Sequence, residues 1–229
     1  MNEEKLKELN SKLETSGLAL SQGDSGLFLT DGNLSISVDF KEMLPRLKQS
    51  NLQREMLVKA ARIKGQEMPQ TLVDATAGFG EDSLILAAAG FQVQMYEFDE
   101  VIAALLEDGL ERARQIPELE EAVGRMKLVN ADSTIAMRQL DFKPDIVLLD
   151  PMFPARQKSA LIKKKFQLIQ RLESPCSTEN ELLEAAIAAD PKRIVIKRPL
   201  KGPNLGDRKP SYSLEGKAIR YDCFVFARI

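Results

Sequence analysis

A chain of 229 residues, 44% of them hydrophobic, is long enough for one main domain with an appendage. No run of about 18 apolar residues is present, and the N-terminus MNEEKLKELNSKLE is charged where a secretory signal is apolar, so the sequence reads as soluble and cytoplasmic, without a membrane partner. The chain has no histidine, and Cys176 and Cys223 lie far apart without CxxC spacing, which excludes imidazole catalysis and argues against a zinc site or a disulfide framework; no metal is expected.

In chain order, Leu6, Leu9 and Leu13 recur at helical spacing, and GLFLTDGNLSISVDF holds two strand-like runs around Asp31-Gly32, a dipeptide suited to a tight hairpin. Residues 1–50 therefore read as a small N-terminal α+β subdomain and residues 51–229 as the main domain. A helical pattern with several bases runs from Asn51 to Lys64 and leads to Pro69. Beyond it, TLVDAT reads as a strand, EDSLILAAAG as a helix ending at Gly90, QVQMYEF as a strand and EVIAALLEDGLERARQI as a helix. MKLVNA and DIVLLD are further strands, the segment from Ser159 to Leu172 and TENELLEAAIAA are helical, and RIVIK is a strand. Strands alternating with helices predict a mostly parallel sheet covered on both faces. The end breaks that rhythm: YSLEGKAIRYDCFVFARI predicts an antiparallel hairpin at a sheet edge, after a mobile Pro- and Gly-rich loop, PLKGPNLGDRKP.

The net charge of −2 hides a sorted distribution. Nine acids and two bases lie between Glu97 and Glu121, six bases and no acid between Pro151 and Leu172, and seven bases and one acid between Lys192 and Lys209. Two basic runs, each directly after a predicted strand, would give one edge of the sheet a positive field and make an anionic partner plausible.

The first main strand runs into DATAGFGEDS, where Gly78 and Gly80 let the backbone pass close to a ligand at a helix start. Ser83 stands where the third glycine of a dinucleotide fingerprint would be. Glu97, near the end of the second strand, is placed to accept hydrogen bonds from ribose hydroxyls, which suits NAD and S-adenosylmethionine alike. The pattern from Asp74 to Gly80 resembles the first motif of class I S-adenosylmethionine-dependent methyltransferases, departing from it at Thr76, where those enzymes have a glycine. That resemblance makes Asp74, Gly78 and Gly80 cofactor-binding, with Asp132 and Ser133 of NADS at the adenine; a helix cap is the plain alternative for the last two.

Asp150-Pro151-Met152-Phe153 follows the fourth main strand, at the edge where an open parallel sheet has its ligand crevice. It resembles the Asp/Asn-Pro-Pro-Tyr/Phe motif of amino methyltransferases, with Met152 replacing the second proline. A base amine is a poor nucleophile because its lone pair is delocalised into the ring. The Asp150 carboxylate and the Pro151 carbonyl would accept its two hydrogens, orient the nitrogen and stabilise its developing positive charge. Phe153 would stack on the extruded base. Nothing in the tetrapeptide distinguishes adenine, cytosine and guanine.

Over a longer span, DATAGFGEDS, YEFD, LDPMFPARQKSALIKKK and VIKRP, in this order and spacing, resemble the RsmJ family of small-subunit ribosomal RNA guanine-N2 methyltransferases. The resemblance runs from about Leu57 to Ile229. It implies a Rossmann-like α/β class I methyltransferase sheet and S-adenosylmethionine contacts at Glu81, Asp82, Glu97, Phe98, Asp132, Ser133 and Asp150. It also implies a guanine in 16S ribosomal RNA as target, in the RNA or in the ribosomal subunit. The basic residues beside the motif, Arg156, Lys158, Lys163, Lys164, Lys165, Lys197 and Arg198, are the RNA-binding candidates. The competing readings are methylation of another RNA or DNA base amine, a non-catalytic RNA-binding protein, and a nucleotide-dependent dehydrogenase.

Overall fold

The computed structural model describes residues 1–151, 168, 172 and 179–226. The chain opens with α1 (Glu3–Leu13), whose first turn is closed by the Asn2 side chain accepting from the Lys5 N–H at 2.8 Å, and which buries Leu9 and Leu13. Three antiparallel strands follow, β1 (Ala19–Gly23), β2 (Gly26–Thr30) and β3 (Ser35–Ile36), side by side in that order. The turn expected at Asp31-Gly32 joins β2 to β3, with Asp31 Oδ1 accepting from the N–H groups of Asn33 and Leu34 at 2.9 Å each. β1 was not foreseen, because ALSQG carries one buried apolar residue and no alternation.

The helical run expected over 51–64 is two short helices, α2 (Gln49–Leu52) and α3 (Met56–Ala61), so the boundary expected after residue 50 falls inside α2. Across that boundary the core is continuous: Leu9, Leu27 and Phe40 belong to the same buried cluster as Leu57, Leu84 and Leu106. Arg193 fixes the end of α3 by donating from Nη1 to the carbonyls of Ala60 and Arg62, acceptors that a helix C-terminus leaves without internal partners.

The main sheet is built from β4 (Thr71–Asp74), β5 (Gln92–Glu97), β6 (Met126–Asn130), β7 (Ile146–Leu149), β8 (Arg193–Pro199), β9 (Tyr212–Glu215) and β10 (Ile219–Val225). Their spatial order is β6-β5-β4-β7-β8-β10-β9. β4 to β8 are parallel, and β10 runs antiparallel to both β8 and β9, as the C-terminal hairpin reading required. The connecting helices are α4 (Glu81–Ala88), α5 (Glu100–Ala113), α6 (Pro117–Gly124), the short α7 (Ser133–Ala136) and α8 (Glu179–Ala188). Pro117 starts α6 at its first position, where a missing N–H costs nothing. The helix expected from Ser159 lies outside the described residues except at positions 168 and 172. No helix among the described residues is long and apolar enough to cross a membrane.

Strands buried on both faces read as apolar runs, and here the two faces are distinct. Leu72, Ile146, Leu148 and Val195 pack with the N-terminal layer, α4 and α5, while Val73, Val147, Leu149, Ile194 and Ile196 pack against α8. Successive strands leave β4 in opposite directions, β5 and β6 to one side, β7 and β8 to the other. The crevice beyond the carboxyl ends of β4 and β7 is therefore where such a sheet binds a ligand.

Candidate active site

β4 ends at Asp74, which is 2% exposed and serves the loop rather than the cleft surface. Its Oδ1 accepts the Thr76 N–H at 3.1 Å and its Oδ2 the Ser83 hydroxyl at 2.6 Å. Burial pushes its carboxyl up to about 7, against the pull of those two donors. Asp74, expected at the cofactor, braces the loop from within, and Ser83, in place of a third glycine, supplies one half of that brace. Gly78 and Gly80 both have positive φ, +53° and +73°. A side chain on Gly80 would come within 2.7 Å of Leu106, whereas one on Gly78 would project into open space, so the backbone at Gly78 borders the cleft.

Glu97 at the end of β5 holds this loop from the other side. Its Oε2 accepts the Gly78 N–H at 2.8 Å and its Oε1 the Asp99 N–H at 2.9 Å, and burial raises its pKa despite both bonds. A carboxylate accepts about four hydrogen bonds, so each oxygen keeps capacity for a ribose hydroxyl. Phe98, beside it, is half exposed at 49%, and so is Ile135 at 57% on α7. Asn130 clamps the end of β5 by donating from its amide to the carbonyls of Glu97 and Phe98 at 2.8 and 3.1 Å. Asp132 caps α7, accepting from the Thr134 N–H and hydroxyl at 2.8 and 2.6 Å, and Ser133 is 7% exposed. The cap reading of Asp132 is therefore realised in the geometry.

Asp150 follows β7, and its N–H donates to the Thr76 hydroxyl at 2.7 Å. Thr76 was the departure from the glycine pattern; in place of flexibility it contributes a bond that ties the cofactor loop to the Asp-Pro turn. Lys197, on β8, lies between two carboxylates, 2.8 Å from Asp150 Oδ2 and 2.6 Å from Asp82 Oδ2. Burial alone would lower its pKa, but the two acids outweigh it and the net shift is upward, so Lys197 is a permanent ammonium. It was expected on the RNA surface and instead joins the first turn of α4 to Asp150. Its strand neighbour in register, Tyr221, is 3% exposed, and burial with the nearby Asp82 carboxylate raises its phenol pKa.

Arg198 requires a second correction. Its neighbouring position on β8 turns it to the other face, where it is 1% exposed, donates to the Pro203 carbonyl from Nε and Nη2 at 2.9 and 2.6 Å, and pairs with Glu179 at 3.1 Å. Arg220 donates to the carbonyls of Pro199, Leu200 and Gly202 while paired with Asp222. Two buried arginines therefore fasten the loop that composition marked as mobile. Arg198 organises that loop and presents no charge to a nucleic acid. Phe153, Arg156, Lys158, Lys163, Lys164 and Lys165 lie outside the described residues; Pro151 is the described member of the motif that follows Asp150.

Sequence reasoning missed Thr76, Asn130 and Tyr221 at the site. No signal in RIVIK marked Lys197 as inward: Ile194, Val195 and Ile196 are all buried, so the strand reads as an apolar run without alternation. The acidic rim of Glu81, Asp82, Glu97, Asp132 and Asp150 fits a ligand with a ribose diol and cationic groups, as S-adenosylmethionine has, and would repel a dinucleotide's pyrophosphate. Among the described residues no group of three or more acid, Cys or His side chains is disposed to hold a metal ion.

A family model described as a putative SAM-dependent methyltransferase matches residues 4–226. The protein named ribosomal RNA small subunit methyltransferase J in Pseudomonas aeruginosa (strain LESB58) is 42% identical over 213 residues, covering 90% of this chain and 81% of that protein. Its namesake in Thioalkalivibrio sulfidiphilus is 40% identical over 217 residues, covering 93% and 83%. A solved structure of a SAM-dependent methyltransferase from Neisseria gonorrhoeae matches with a TM-score of 0.75 and 29% identity, covering 97% of this chain and 91% of that one. The strand order, the acidic cofactor rim and these likenesses agree, and the chain belongs to the S-adenosylmethionine-dependent methyltransferases, in the family of the ribosomal RNA small subunit methyltransferase J proteins.

Proposed function

We propose that this chain transfers a methyl group from S-adenosylmethionine to the exocyclic N2 amine of a guanine in small-subunit ribosomal RNA. The observation that carries the reading is Asp150. Its backbone is fixed by Thr76 and its carboxylate lies against Lys197, at the crevice where β4 and β7 part. The name shared by the relatives supports the RNA class, and the resemblance of the Asp-Pro motif and its surroundings supports guanine N2.

The cofactor supplies an activated methyl on a sulfonium, so the chain's own task is alignment. Glu97 and the Gly78 backbone hold the cofactor's ribose end, and Phe98 and Ile135 offer apolar faces to its base. The Asp150 carboxylate and the Pro151 carbonyl accept the two hydrogens of the target amine. This turns the nitrogen lone pair out of conjugation with the ring and offsets the positive charge that grows on nitrogen as it is methylated. Lys197 keeps Asp150 ionised and fixed in direction. The amine proton then leaves to Asp150 or to water.

The test is transfer of labelled methyl from S-adenosylmethionine to 16S RNA and to small ribosomal subunits prepared from cells lacking the gene, followed by nucleoside analysis. N2-methylguanosine is the expected product. A different methylated base, or reduction of NAD in place of methyl transfer, overturns the reading.

A further inference from the structure

Beside the candidate crevice lies a second opening. Arg46, Asn51, Arg54, Glu55, Met56, Ile219 and Tyr221 line a cavity of about 460 Å³ between the α2–α3 turn and the start of β10. We propose that this cavity is a subsite for the RNA strand, taking the phosphate next to the target nucleotide and the sugar or base attached to it; the proposal rests on the RNA methyltransferase reading above.

Four observations converge on it. The first is charge: residues 44–64 carry six bases and one acid, and that acid, Glu55, is already held by Arg46 through Nε and Nη2 at 2.6 and 3.0 Å. Arg46 Nη1 is thereby fixed in place for a phosphate, while Arg54 is exposed and has no ion-pair partner among the described residues. The second is the hydroxyl of Tyr221. The residue is 3% exposed and lines the cavity, and its phenol hydroxyl, which makes no hydrogen bond to another described residue, is free to donate to a phosphate oxygen entering there.

The third is position. Tyr221 is the register partner of Lys197, whose ammonium is 2.8 Å from Asp150, so the cavity adjoins the group that receives the target amine. The fourth is exclusion. A polynucleotide whose base reaches Asp150 has to leave the site over one flank. Glu97 and Asp132 make the flank toward β5 and β6 unfavourable to phosphate, while the flank toward α2 and α3 is basic. Met56 and Ile219 give the cavity an apolar wall for the sugar or base, so the lining matches a nucleotide unit rather than a free inorganic anion.

The experiment measures binding of a short fluorescent single-stranded RNA over a salt series for the wild type, Arg54→Ala, Tyr221→Phe and a remote control, Lys7→Ala. Calorimetry of S-adenosylhomocysteine and methyl transfer to 16S RNA are measured on the same samples. Loss of one phosphate contact lowers the salt slope by about 0.7, which at 0.1 M salt is roughly a fivefold weaker complex for Arg54→Ala. Tyr221→Phe, which keeps the packed ring, should weaken RNA binding about 2- to 10-fold, the range of one hydrogen bond. Arg54→Ala should leave cofactor affinity unchanged, and Lys7→Ala should match the wild type in all three measurements. If Arg54→Ala and Tyr221→Phe bind RNA with wild-type slope and affinity while the wild type methylates 16S RNA, the cavity is not the RNA subsite and the functional reading stands. If the wild type neither binds RNA nor methylates it, both fall together.

Discussion

The buried carboxyl at the end of β4 makes the stability of the cofactor loop depend on pH in a direction opposite to that of most acids. Asp74 is raised from its usual 3.8 to about 7, first by burial and then by the charges of Asp82 and Asp150, with Ser83 and Thr76 opposing the rise. Between those two values the folded chain holds a proton that the unfolded chain has released. Stability therefore falls as pH rises through that window and levels off above about 7. At ~1.4 kcal/mol per pH unit the whole effect is about 4 kcal/mol, of which about 2 kcal/mol remains between pH 5.5 and the plateau. Asp74→Asn keeps the geometry, since its amide oxygen can accept from Thr76 and its NH2 can donate to Ser83, but it does not titrate. Urea unfolding of both proteins at pH 5.5 and 8.5 isolates the effect, because every other group is common to the pair. The Asp74→Asn variant should gain about 2 kcal/mol on the wild type on going to the higher pH. A variant-minus-wild-type difference that stays constant to within about 0.5 kcal/mol, or that shifts in favour of the wild type, refutes a buried carboxyl titrating near 7.

Glu97→Ala removes the acceptor for the Gly78 and Asp99 N–H groups and for the ribose, so S-adenosylhomocysteine should bind at least 10-fold more weakly by calorimetry, a charged hydrogen bond being worth about 1.5–3 kcal/mol. Thr76→Val leaves the Asp150 N–H without its acceptor, and kcat for methyl transfer should fall about 10-fold or more with cofactor affinity changed much less. Asp150→Asn should reduce single-turnover methyl transfer by a larger factor than it reduces RNA affinity; near-normal rates at saturating cofactor would remove Asp150 from catalysis. Arg198→Met should destabilise the fold, by an amount read in urea unfolding, and leave the salt dependence of RNA binding unchanged; a reduced salt slope would restore Arg198 to the RNA surface.

What the sequence exposed and what it hid follow from how far each signal reaches along the chain. The main sheet was legible because its strands are buried on both faces and separated by helices, so VDAT, YEFD and VLLD announce themselves locally. Gly78, Gly80, Glu97 and Asp150 were legible because a backbone turn and the carboxyl end of a strand constrain residue type at a fixed spacing. The division of the basic run into α2 and α3 was not, since both are too short for periodicity to show a break. Nor was the fate of the charges. Lys197 and Arg198 are adjacent bases in one strand, yet alternation sends one to Asp150 and the other to a loop carbonyl on the opposite face.

Under the proposed function, that alternation would also let one site hold a cationic cofactor and a polyanionic substrate side by side. Lys197 is enclosed between Asp82 and Asp150, so its charge is answered within the protein and adds little to the outer field. The acids not so answered lie on the flank of β5 and β6, and the arginines of the α2–α3 turn lie on the other. Under the proposed function, the Asp150 carboxylate would lie between the two fields, where an amine arriving from the basic side would meet a methyl donor held on the acidic side. Moving Lys197 to the surface would blur that line at both ends. The carboxylate would lose the ammonium that directs it, and Asp82 and Asp150 would no longer share a cation.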